Sequence, residues 1–244
     1  MIEKEIIITD VSKMRGGICI YGYDQEYKGI RPILWSSDKN IRGFPPNYIA
    51  KIKPFMRVKF RLIEHRPTPP HTEDWLIDEE FPPEIMGELS AEMKKDFLER
   101  ILSPSLKAGG WGTEIKFYLT QEKEKTPYIE PGEGLKSIIT IKPKAIRFIK
   151  YSERSYRIKF YDMDNEYYSL SITDLGFRNF CDNLLMQGMD YETIGKSCCK
   201  KLKEREVFLR IGAGRPFTPR GQEGKEMCFL FVTGIYSFPD YRVL

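Results

Sequence analysis

Histidine is nearly missing from this chain, which holds only His65 and His71, and none of its five cysteines forms a CxxC pair. A zinc site built from Cys and His at ligand spacing has no material here, so no metal and no cofactor is expected. Five is an odd number, and Cys198 and Cys199 are adjacent, which argues for reduced thiols and a cytoplasmic setting over a disulfide framework. No apolar run reaches the length of a bilayer span. The longest, 227–238, is interrupted by Thr233 and Gly234, so no membrane contact is expected. The opening MIEKEIIITD lacks the basic region, apolar stretch and small-residue cleavage site of a secretory signal.

What the sequence does have is ring and charge. Aromatic residues make up 13% of the 244 residues, mostly Tyr and Phe, and charged residues make up 30%. Aromatic richness suits sheets and binding surfaces alike. The net charge of +4 is unevenly spread: residues 1–61 carry +6, residues 62–137 carry −7 and residues 138–244 carry +5. Two basic blocks flank an acidic one.

Hydrophobic periodicity reads mainly as strands. In 55–63, Met56, Val58, Phe60 and Leu62 face one way and Arg57, Lys59 and Arg61 the other, the pattern of a half-buried strand with a basic outer face. Strands are also expected at 5–9, 18–23 and 30–35, where Pro32 marks an edge or bulge. Asp10–Gly17 is read as a turn, and the Pro-rich acidic 66–84 as a loop. A helix follows at 90–102 with Ser90 as N-cap, then the GGWG of 109–112 and a strand at 113–119. Past PGEG (131–134), a long strand at 138–150 bends at Pro143. Strands 154–161 and 166–172 flank the turn DMDN, a hairpin signal. Helices capped by Asp174 and Asp190 precede strands at 207–211 and 228–236. There is no alternation of strand and helix, so the expected fold is mainly β with inserted helices. It is read as two tandem OB-like Greek-key barrels, 1–137 and 138–244.

Nucleic-acid readers need cations for phosphates and rings for stacking bases, often on one sheet. The candidates are Tyr21, Tyr23, Arg57, Lys59 and Arg61 in the first half. In the second half they are Lys142, Lys144, Arg157, Lys159, Tyr161, Arg210 and Arg215, with Lys142 and Lys144 followed by Arg147 and Lys150. Charged outer faces also protect sheet edges, which is the competing reading. His71-x-Glu73 begins like a zinc deaminase signature, but the PCxxC that must follow is absent. His71, Glu73 and Asp74 offer acid–base groups for a hydrolase-like reading together with Arg210 or Arg215. RIGAGRPF (210–217) holds a lone GxG that could form an anion-binding nest or a strand-ending turn. Opposite charges on these two segments suggest that Glu73 or Asp74 meets Arg210 or Arg215 between the domains, with Trp75 packing beneath.

The segments ITDVSKMRGGICIYGYD (8–24), PPHTEDW (69–75), SITDLGFRNFCD (171–182), RIGAGRPF (210–217) and TGIYSFPDY (233–241) carry a resemblance. Through them the chain is similar to a family of bacterial dual OB-fold domain proteins. The resemblance implies the tandem architecture and, by analogy, nucleic-acid binding; it implies no reaction. The expected function is therefore non-enzymatic binding of single-stranded DNA or RNA. A protein-interaction module in a larger nucleic-acid-processing or defence complex is the first alternative, and the hydrolase-like enzyme is the second.

Overall fold

The structure is a computed structural model that describes residues 1–14, 16–35, 41–111, 115–119, 125–152 and 155–243. The last glycine of GGWG, the start of the strand expected at 113 and Arg154 lie outside the described residues.

The first barrel is built from β1 (Ile2–Met14), β2 (Gly17–Tyr23), β3 (Gly29–Trp35), β4 (Ile41–Arg42), β5 (Met56–His65), β6 (Asp74–Ile77) and β7 (Glu84–Glu88). Strand order is β1-β2-β3-β6-β5, and β5 pairs back with β1, which closes a five-stranded ring. β3 and β6 run parallel, while the other ring pairings are antiparallel. A register shift between Ile8 and Asp10 lets β1 serve β5 with its first half and β2 with its second. The alternation of β5 appears as read, with Val58, Phe60 and Leu62 buried beside Ile6, Ile8 and Ile20.

Helix α1 (Ala91–Arg100) follows, its first turn capped by the Ser90 side chain, which accepts from the Met93 N–H. Then come the hairpin β8 (Lys116–Leu119) and β9 (Lys125–Ile129), β10 (Ile138–Ile141), β11 (Ala145–Ser152), β12 (Ser155–Tyr161) and β13 (Tyr167–Ile172). Helices α2 (Leu175–Met186) and α3 (Tyr191–Lys203), capped by Asp174 and Asp190, lead to β14 (Glu206–Ala213) and β15 (Cys228–Phe238). The second sheet has the order β10-β14-β15-β13-β12-β11, with β13 and β15 parallel. β10 and β11 are one strand broken around Pro143, so the bend closes the second ring. Both rings thus share the same circuit, with one parallel pair at the same place.

Three expectations need correction. β1 runs on to Met14 where a turn was read, because the polar run Thr9–Asp10 points into a buried polar network and not into solvent. The 66–84 segment holds β6 and ends on the first residue of β7, and β6 closes the first ring; four residues are too short to show a period. β8 and β9, upstream of residue 137, join β15 of the second sheet, and Leu106, Trp111 and Ile129 belong to its core. A strand pattern within 105–137 gives no sign of which sheet captures it. Among the described residues no helix is long and apolar enough to cross a membrane.

Candidate nucleic-acid interface and the junction between the barrels

The two basic strand faces differ in the residues that their own strands carry. In the first barrel every cation of β5 meets an acid from a neighbouring strand. Arg57 lies 3.6 Å from Glu5, Lys59 lies 2.6 Å from Glu84, and Arg61 lies 3.3 Å from Glu3 with its guanidinium over the Phe81 ring. Opposite charges across a ladder stabilise the sheet modestly and neutralise the face.

The second barrel's meander is different: β11, β12 and β13 contain no Asp or Glu. Register places Phe148 beside Lys159, Lys150 beside Arg157 and Tyr161 beside Tyr167. Cross-strand partners point the same way, so these six side chains share the outer face. The intervening Ile149, Ile158, Phe160 and Leu170 fill the core. Phe148 and Tyr167 are each 46% exposed. The Tyr161 ring lies 5.2 Å from Tyr167 and carries the Arg147 guanidinium 5.1 Å from its centre. Arg157 is steered by Ser169 and Ser171, whose hydroxyls accept from its Nε and Nη1. Lys144 donates to Asn165 at the hairpin turn. Lys142 is engaged elsewhere, donating to Glu99 and Glu206 and so tying α1 to the second sheet.

Tyr21, Tyr23 and Arg210, expected on an accessible surface, are buried where the barrels meet. Arg210 Nε and Nη2 donate to Asp10 Oδ2 at 3.0 and 2.8 Å, and its Nη1 donates to Tyr23 Oη and to Thr140 Oγ1. The guanidinium sits over both tyrosine rings. Asp10 also accepts from Thr9 and Thr233, and Tyr236 donates to the Thr9 carbonyl. Every oxygen of this carboxylate and every nitrogen of this guanidinium has a partner, the condition under which a buried ion pair persists. An aromatic cluster of Tyr21, Tyr23, Phe55, Phe97, Phe208 and Tyr236 surrounds it.

The second contact joins PPHTEDW to RIGAGRPF. Asp74, fully buried, accepts from Arg31 Nε through Oδ1 and from Arg215 Nη1 through Oδ2, both at 2.6 Å. Asp74 thus meets Arg215, while Arg210 pairs with Asp10. Glu73 accepts from the Ser137 N–H and hydroxyl and from Tyr21. His71 Nε2 donates to the Ala213 carbonyl, and burial, reinforced by Arg31 and Arg215, keeps its pKa well below the ordinary histidine value. Trp75 does not lie beneath the pair; successive strand residues face opposite ways, and it stacks on His65. His71, Glu73 and Asp74 are all held in these bonds at the junction. Gly212 and Gly214 are not bent: neither has a positive φ, so they form no nest. A Cβ on Gly214 would instead come within 2.7 Å of the Phe231 ring, so close packing is what demands glycine.

A model of the dual OB-containing domain matches residues 4–235. The chain belongs to this family. Comparison with curated proteins finds no match. In this dual OB protein the family match spans both rings and the junction, so the buried pairs lie within the family domain. Sequence reasoning missed Asp10 and Arg31, whose partners are distant in the chain. It also missed Phe148 and Tyr167, which only strand register brings beside the basic residues. Among the described residues no group of three His, Cys, Asp or Glu side chains is placed to hold a metal.

Proposed function

We propose that the protein binds single-stranded nucleic acid on the outer face of the β11–β12–β13 meander. The observation that carries this reading is the face itself: three rings, Phe148, Tyr161 and Tyr167, interleaved with Lys150, Arg157 and Lys159 on acid-free strands. Unstacked bases lie on exposed rings and phosphates track adjacent cations. OB folds bind oligonucleotides on the corresponding sheet. The first barrel's β5 face, with its cations matched by Glu3, Glu5 and Glu84, is assigned to sheet stability.

Titration of a fluorescent oligonucleotide at several salt concentrations tests the reading. Affinity is expected to fall with ionic strength with a slope of about −0.7 per phosphate contact. Lys150→Glu with Lys159→Glu is expected to weaken binding at least about tenfold, and Phe148→Ala to weaken it by about 1–3 kcal/mol per stacked base. Lys59→Glu on the first barrel is the control and is expected to leave affinity unchanged. No binding at low salt, or equal loss from both faces, would overturn the assignment.

A further inference from the structure

A cavity of about 580 Å³ opens where the barrels meet, beside the Asp74–Arg215 contact. Its size falls in the range of small-ligand sites. Its wall has two chemistries. Phe217, Phe229 and Phe231 supply rings; Lys13, Arg31 and Arg215 supply cations; among the described residues no Asp or Glu lines it. Asp74 sits behind the wall as one carboxylate shared by two guanidinium groups, which leaves positive charge in excess. Arg31 is 3% exposed, and its Nη2 has no hydrogen-bond partner among the described residues. A buried donor without a partner costs free energy. Burial and the charge of Arg31 lower the pKa of Arg215 while Asp74 raises it, the direction of the whole being downward.

We propose that this cavity is a nucleoside phosphate site, with the base among Phe217, Phe229 and Phe231 and the phosphate against Arg31, Arg215 and Lys13. Arginine forks match phosphate oxygens, and phenyl rings accept any base face. The larger cavity of about 760 Å³ on the barrel junction sets two carboxylates against its three cations: Glu88 pairs with Lys94 and Asp240 with Arg242, which leaves Lys53. None of the six residues of the β11–β12–β13 face lines the nucleotide cavity, so the two sites are separable. The same chemistry is presented by a free nucleoside monophosphate and by the 5′-phosphorylated end of a strand.

Isothermal titration of the full chain with AMP, GMP, CMP and UMP, with adenosine and with inorganic phosphate is the test. At least one nucleotide is expected to bind, with adenosine and phosphate each weaker by about tenfold or more. Arg215→Gln and Phe217→Ala are each expected to reduce nucleotide affinity about tenfold, while Lys150→Glu with Lys159→Glu leaves it unchanged. Should Arg215→Gln fail to fold, Phe217→Ala and Lys13→Gln, both at exposed positions, carry the same comparison. Two oligonucleotides that differ only in a 5′-phosphate separate the sources. A gain from the phosphate that Phe217→Ala abolishes assigns the strand end, and no gain, with mononucleotide binding intact, assigns the free nucleotide. No nucleotide binding at about 1 mM, inorganic phosphate binding as tightly as AMP, or affinity indifferent to these cavity variants would overturn the site.

Discussion

Two residues 200 positions apart, Asp10 and Arg210, form a pair that neither could form with a sequence neighbour. Removing one partner of such a buried pair leaves an uncompensated charge. Asp10→Ala is therefore expected to lower stability by about 3–5 kcal/mol, measured by urea unfolding. A loss below about 1 kcal/mol would mean that the network relaxes around the vacancy. His71 makes a second prediction at this scale. Its folded pKa lies below the unfolded value of about 6.5, so the unfolded chain binds the proton first as pH falls. The stability it contributes is full above that value and is lost as pH drops toward the folded pKa. Melting curves between pH 5 and pH 7 should show the wild type losing more on acidification than His71→Gln, which keeps a donor for the Ala213 carbonyl. Parallel pH profiles would remove His71 from the linkage.

At the scale of elements, α3 shows tertiary packing overruling local preference. Gly195 lies inside this helix, where alanine is favoured by about 1 kcal/mol. Yet a Cβ there would stand 2.7 Å from the Ile149 carbonyl oxygen of β11. Backbone cannot give way like a flexible side chain, so Gly195→Ala is expected to destabilise by about 1–3 kcal/mol despite its better propensity. Thermal unfolding checks the sign; a raised melting temperature would show that α3 can lift from β11. The caps of α1, α2 and α3 were readable from Ser90, Asp174 and Asp190 because capping is local chemistry. Asp174 does more than cap: its Oδ2 accepts from the buried Ile235 N–H, and burial raises its pKa to about 6. That second contact, across 61 residues, has no local sign.

For the whole molecule, the junction is the feature that joins the two rings into one unit. β1 lies against β15, Lys13 N–H donates to the Thr173 carbonyl, and the aromatic cluster around Tyr236 draws on both sheets. Domains with separate cores can unfold separately, but a shared apolar cluster and two buried ion pairs couple these two. Urea unfolding is expected to give one transition, with far-UV dichroism and tryptophan fluorescence superimposed, since Trp35 and Trp75 report the first barrel and Trp111 the second. Two resolved transitions would show that the barrels hold independently.

The sequence by itself determined the mainly β class, the alternation of Val58, Phe60 and Leu62, the hairpin at DMDN, the helix caps and the meeting of PPHTEDW with RIGAGRPF. Each rests on a short-range signal: a period of two, a turn composition, a capping side chain, or opposite charge on two distinctive loops. Tertiary structure alone decided that Tyr21, Tyr23 and Arg210 are buried, because a residue pointing away from its own core becomes interior once a second barrel covers it. It decided that Arg57, Lys59 and Arg61 face acids while Arg157 and Lys159 share a face with exposed rings, since register selects neighbours that no spacing along one strand reveals. It also decided that Asp74 is divided between Arg31 and Arg215, with three cations facing one cavity, because partners 43 and 141 residues away meet only when both rings have closed.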